Sequence, residues 1–141
     1  MPWWFMLSSS KCVPSFALGD KMTEKCQILV VEDDPLVSEV IAAALDDRYP
    51  TTIVDTATEA LRLLRGGDFR LMLLDCTLPG GVDVNLLPEA DRIGTAVILM
   101  SGDPGRMLKL TDQPRPFVLK PFTLARLLET VETALAPGAC A

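Results

Sequence analysis

Five short apolar runs, each closing on polar residues and separated from the next by an amphipathic stretch, constrain this chain more than any other feature. The runs are QILVV at 27–31, a segment at 52–55, RLMLL at 70–74, AVILM at 96–100 and FVL at 117–119. All five read as strands, and the first, brief and rich in branched residues, as one buried on both faces. Between them apolar residues recur at helical spacing. Leu36, Val37, Val40, Ile41, Ala44 and Leu45 follow the first run, with Pro35 suited to a first helical turn. Ala60, Leu61, Leu63 and Leu64 follow the second, and Gly66 and Gly67 then stand where a left-handed cap is expected. A third helix is expected within 84–92, shortened, kinked or displaced by Pro88. A short fourth helix is expected over 104–110. Thr123 caps a last helix that turns Leu124, Leu127, Leu128, Val131 and Leu135 inward and stops at Pro137 and Gly138. Strands alternating with helices predict an α/β fold, a doubly wound five-stranded parallel sheet with helices on both faces.

A length of 141 residues suits one domain, and 49% hydrophobic residues give it an ordinary core. We read residues 25–137 as that domain and 138–141 as a tail. Residues 1–24 hold Trp3 and Trp4 and show no periodicity, as expected of a disordered or non-native extension. Their apolar stretch lacks a basic leading region and is interrupted at 8–11, which argues against a signal peptide or membrane span. A net charge of -6 repels phosphate backbones and anionic lipid, so neither nucleic acid nor membrane is an expected partner. The chain has no histidine, which excludes histidine triads, histidine metal sites and self-phosphorylation on histidine. Cys12, Cys26, Cys76 and Cys140 lack CxxC spacing and read as reduced thiols of a cytoplasmic protein.

In an open parallel sheet, ligand groups gather at the carboxyl ends of the strands. Glu32, Asp33 and Asp34 follow the first run, Asp75 the third, Ser101 the fourth and Lys120 the fifth. Converging carboxylates repel one another, and a hard divalent cation such as Mg²⁺ relieves the repulsion. Beside such an ion, with a lysine and a hydroxyl opposite, a carboxylate is arranged to receive a phosphoryl group. Asp33 and Asp34 ahead of Pro35 also suit a plain helix cap.

These residues resemble the receiver domains of two-component response regulators, of the chemotaxis single-domain type. The resemblance runs over about 27–135 through ILVVEDD, LMLLDCTLPGG, VILMSG and FVLKPF, in the family's order. It implies a flavodoxin-like sheet of strand order 2-1-3-4-5. It also implies Asp75 as phosphoacceptor and Mg²⁺ as cofactor, held by Glu32, Asp33, Asp75 and the backbone carbonyl of Thr77. Ser101 matches the switch hydroxyl, Lys120 the phosphate-binding lysine, Pro121 a proline often preceded by a cis bond, and Phe117 the aromatic switch position. Glu32 is a common variant of an aspartate. By the same resemblance, Thr77 and Asp103 influence a slow spontaneous hydrolysis.

The expected function is a stand-alone receiver that takes a phosphoryl group from a sensor histidine kinase or histidine phosphotransfer protein. It would then signal to a downstream protein target, with no enzymatic turnover beyond self-phosphotransfer and slow autodephosphorylation. The alternative is a receiver-like module that binds proteins without phosphorylation. A haloacid dehalogenase-type hydrolase requires a second aspartate two residues beyond the nucleophile, where this chain has Thr77. Neither GxGxxG nor GxxxxGK[ST] follows the first strand, against nucleotide binding.

Overall fold

The computed structural model describes residues 26–78, 85–105 and 115–135. The strands are β1 (Ile28–Val31), β2 (Thr51–Val54), β3 (Leu71–Asp75), β4 (Ala96–Ser101) and β5 (Phe117–Leu119). The helices are α1 (Pro35–Leu45), α2 (Ala57–Gly66), α3 (Leu86–Ile93) and α4 (Leu124–Ala134). All strand pairs are parallel, in the order β2-β1-β3-β4-β5. This is the doubly wound arrangement that the alternating runs predict. The expected helix over 104–110 falls mostly outside the described residues, as do the N-terminal extension and the tail.

The period-2 geometry of strands divides the core into two layers. Leu29, Val31, Met72, Leu74, Val97 and Leu99 pack toward α2 and α3. Ile28, Val30, Leu71, Leu73, Ile98 and Met100 pack toward α1 and α4, where Ile41, Leu45, Leu127 and Val131 meet them. The second layer positions the site. Two residues beyond Val30 is Glu32, two beyond Leu73 is Asp75, and two beyond Val118 is Lys120, so three apolar rows on one face each end in a charge.

Four local expectations need correction and a fifth is narrowed. Leu36 is 73% exposed and Val40 is exposed as well, because α1 meets the sheet only through its Val37, Ile41, Ala44 and Leu45 side. Leu124 at the start of α4 also faces solvent. Gly67 does follow α2, but in an extended conformation at φ -120°. The left-handed cap sits instead at Gly94, φ 85°, whose N–H closes α3 on the carbonyls of Ala90 and Asp91. The expected effect of Pro88 takes the form of a displaced start: α3 begins at Leu86 and places the proline in its first turn, where the missing N–H has no intrahelical partner to lose. Finally, Cys26, buried just ahead of β1, is disulfide-bonded, so the expectation of reduced thiols does not hold there.

The two glycine environments give opposite expectations. Gly94→Ala forces a side chain into the left-handed region and lowers stability by about 1 kcal/mol. Gly66→Ala, at a helical position with nothing within 4 Å of the added carbon, is neutral or stabilising. Urea unfolding of the two variants checks the contrast.

Candidate functional site

The three charged row ends meet at the carboxyl edge of the sheet. Register fixes two of them: Val31 pairs with Leu74, so Glu32 and Asp75 leave adjacent strands side by side. Asp75 pairs with Met100, which pairs with Val118, bringing Lys120 to the same edge from the far side of β4. The Lys120 backbone is tied there by its N–H donating to the carbonyl of Ser101 at 3.0 Å. The peptide bond between Lys120 and Pro121 is cis.

Side chains complete the arrangement. Lys120 Nζ donates to Glu32 Oε1 at 2.8 Å and stands 3.4 Å from Asp75 Oδ2. Glu32 Oε2 accepts the Asp34 N–H at 3.2 Å. Asp75 Oδ1 accepts two hydrogen bonds from Thr77, from N–H at 2.9 Å and from the hydroxyl at 2.7 Å. These two donors fix the carboxylate's orientation. Asp33 is exposed, yet ligand oxygens of Glu32, Asp33 and Asp75 lie within 4.8 Å of one another. Asp34 turns away to cap α1, accepting the Leu36 N–H at 2.9 Å. The cap reading and the acidic-pocket reading therefore both hold, on neighbouring residues. The cluster borders an open depression of about 470 Å³, with Asp55 and Glu59 on its far rim.

One ammonium serves two carboxylates that are almost wholly buried, Glu32 at 2% and Asp75 at 1% exposure. Burial raises the Glu32 carboxyl above its ordinary range, with Lys120 pulling against it and Asp75 adding to the rise. Burial works to raise Asp75 too, but the Thr77 hydrogen bonds, Glu32 and Lys120 together hold it below the usual carboxylate value. Burial would lower Lys120, and its two carboxylate neighbours outweigh that and raise it. Asp75 is thus kept as an ionised nucleophile, and Glu32 is the carboxylate that carries the strain of crowding.

Glu32, Asp33 and Asp75 form an all-oxygen donor set of the kind a hard divalent cation takes, and among the described residues one ammonium, Lys120, contacts two of them. The donor chemistry fits Mg²⁺. Ser101, fully buried, spends its hydroxyl within its own loop, accepting the Asp103 N–H at 2.9 Å. The Asp103 carboxylate accepts the Gly105 N–H at 3.0 Å. Phe117 is 46% exposed on the edge strand β5. Two contacts escaped the sequence reading. Thr77 was expected to lend its backbone carbonyl to the metal and to influence hydrolysis, not to donate two hydrogen bonds to Asp75, and the Glu32–Lys120 pair was not foreseen. The shared parity of residues 30/32 and 118/120 was the available signal for the latter.

The family model for the response regulator receiver domain matches residues 28–132. The transcriptional regulatory protein YkoG of Bacillus subtilis is 33% identical over 118 residues, covering 79% of this chain and 52% of that protein. The DNA-binding response regulator MtrA of Mycolicibacterium smegmatis is 30% identical, covering 80% of this chain and 52% of that protein. The chain thus spans about half the length of the curated relatives it matches. A CheY-like receiver from Methanospirillum hungatei superposes with a TM-score of 0.69 at 26% identity, over 79% of this chain and 94% of that one. SdrG of Sphingomonas melonis superposes with a TM-score of 0.68 at 26% identity, over 82% and 100%.

Proposed function

The chain belongs to the response regulator receiver domain family, and on that premise we propose that it accepts a phosphoryl group on Asp75 from the phosphohistidine of a sensor kinase or phosphotransfer protein in the cytoplasm. The observation that carries this reading is the buried Asp75 carboxylate, oriented by two Thr77 donors with Lys120 3.4 Å away. In the transfer, an Asp75 oxygen forms the new bond to phosphorus as the bond to the donor imidazole nitrogen breaks, and the imidazole leaves. Lys120 faces the equatorial oxygens of the group in flight and offsets their charge. Glu32, Asp33, Asp75 and the Thr77 carbonyl would hold Mg²⁺, which supplies further charge neutralisation when bound.

Ser101 and Phe117 are the proposed relay. On phosphorylation the Ser101 hydroxyl exchanges Asp103 for a phosphoryl oxygen, the following loop shifts, and Phe117 leaves its exposed position. The altered surface is read by a downstream protein. A receiver acting alone and one joined to a DNA-binding domain, as MtrA is named, share this chemistry. The protein turns over no separate substrate and loses its phosphoryl group slowly by hydrolysis. Among the described residues no helix is long and apolar enough to cross a membrane.

Intact-mass spectrometry after mixing with acetyl phosphate tests the reading. A single phosphoryl adduct is expected with Mg²⁺, none with EDTA, and none in Asp75→Asn. No adduct from Mg²⁺-bound protein would leave a module that binds proteins without phosphorylation.

A further inference from the structure

We propose that Cys26 is bonded to Cys140, forming a redox clasp that fastens the end of the last helix to the start of β1, on the edge of the sheet opposite the acidic pocket. Cys26 is buried and disulfide-bonded, and the chain offers it Cys12, Cys76 and Cys140. Register excludes Cys76. Ile28 pairs with Leu71, so Cys26 stands level with Phe69, and Cys76 lies seven residues farther along the β3 direction. At about 3.3 Å per residue that is roughly 23 Å, whereas bridged cysteines hold their Cα atoms within about 7 Å. Cys12 and Cys140 remain, both outside the described residues.

The fold brings the approach to Cys140 close to Cys26. Ile28 donates its N–H to the Pro50 carbonyl at 2.9 Å, and Arg48, two residues before Pro50, forms an ion pair with Glu132 in the last turn of α4. Ala134 and Leu135 pack against the buried layer that holds Ile28. Alternation along the extended chain places Cys26 on the Ile28 side, with exposed Gln27 between them. Cys140 follows Leu135 by five residues, a tether of at most about 18 Å, and it starts from a fixed point in the same layer. Cys12 precedes Cys26 by fourteen residues, and the −3/2 power of length makes that closure about fivefold less favourable.

The clasp closes by exchange with a low-molecular-weight disulfide such as oxidised glutathione. One cysteine thiolate attacks a sulfur of that disulfide and expels a first thiol, and the other cysteine attacks the mixed disulfide and expels the second. The two cysteines together lose two electrons and two protons, which leave with the two expelled thiols. In the reducing cytoplasm proposed above such a bond is transient, so its closure reports oxidising conditions. Once closed it ties residue 26 to residue 140 and restricts the unfolded chain far more than the folded one. The inference stands on the amino edge of the sheet and does not depend on phosphorylation of Asp75.

Peptide mapping without reduction tests the pairing. The full chain is equilibrated with oxidised glutathione, its remaining thiols are alkylated, and trypsin then separates all four cysteines by cutting after Lys11, Lys25, Arg70 and Arg126 among other sites. A peptide starting at Cys26 linked to the peptide holding Cys140 is expected, and it should dissolve on reduction with dithiothreitol. A link from Cys26 to Cys12, a link between two chains, or four alkylated cysteines would overturn the pairing. Thermal unfolding tests the clasp. Oxidised parent protein is expected to melt about 5–10 °C above reduced parent, Cys140→Ser to melt with the reduced parent under both conditions, and Cys12→Ser to keep the full difference. A linked peptide with no melting difference would overturn the clasp, as would a difference that survives in Cys140→Ser.

Discussion

Lys120→Ala slows the transfer of a phosphoryl group to Asp75 by about 10²–10³-fold at saturating Mg²⁺, the cost of removing one fixed donor aimed at developing charge. The same substitution strips the shared ammonium from two buried carboxylates. Losing one partner of a buried pair costs about 3 kcal/mol, at the low end of such changes because Glu32 can take up a proton. The sign of the pH effect follows from the Glu32 carboxyl, which burial already holds above its ordinary value. As pH falls through that raised value Glu32 becomes neutral, one of the two unbalanced charges disappears, and the deficit relative to the parent shrinks. Urea unfolding across pH, beside stopped mass-spectrometric time courses with acetyl phosphate, reads both effects. A deficit that grows toward low pH would contradict the assignment.

Leu73→Ala is expected to lower stability by about 3 kcal/mol, within the range for emptying a fully buried leucine site. Leu73 lies on β3, the middle strand, fully buried among Val30, Ile98 and Met100 under α1 and α4. Its neighbours are held by strand pairing on both sides and cannot collapse into the space. The position is two residues before Asp75 on the same face, so the loss loosens the floor of the pocket as well. A chemical-denaturation midpoint that shifts with unchanged slope measures the stability term. Phosphorylation of the folded fraction should slow only modestly, because the Thr77 donors that orient Asp75 follow it in the chain. An effect as severe as that of Lys120→Ala would show that strand packing, rather than the local Thr77 contacts, sets the acceptor's geometry.

Strands β1, β3 and β4 were legible because burial on both faces leaves a dense apolar signature, and the site was legible because its residues stand at strand ends. Glu32, Asp75 and Lys120 are each two residues past a core position, so sequence order and pleat alone assign them to one edge and one face. Helix faces were less legible. Leu36 and Val40 fit the apolar stripe of α1 by spacing, yet they lie beside the Val37, Ile41, Ala44 and Leu45 face that meets the sheet and stay exposed. Gly67 and Gly94 both follow helices, and which one adopts the left-handed cap depends on the path of the next segment, which spacing does not encode. Pro88 was read as a disruption because the helix start at Leu86 was not visible in the pattern. The Glu32–Lys120 contact depends on distances between strands that only the assembled sheet sets, and the Thr77 contact on the turn the chain takes after β3.

Chemical mapping of the phosphorylated residue tests the central claim most directly. Protein phosphorylated briefly with acetyl phosphate and Mg²⁺, then reduced with borohydride, carries homoserine wherever an aspartyl phosphate had formed, and peptide mass spectrometry locates it. The account predicts homoserine at position 75 and unaltered Asp33, Asp34 and Asp103. Conversion at one of those aspartates in place of Asp75, or none from protein shown to bind Mg²⁺, would contradict it.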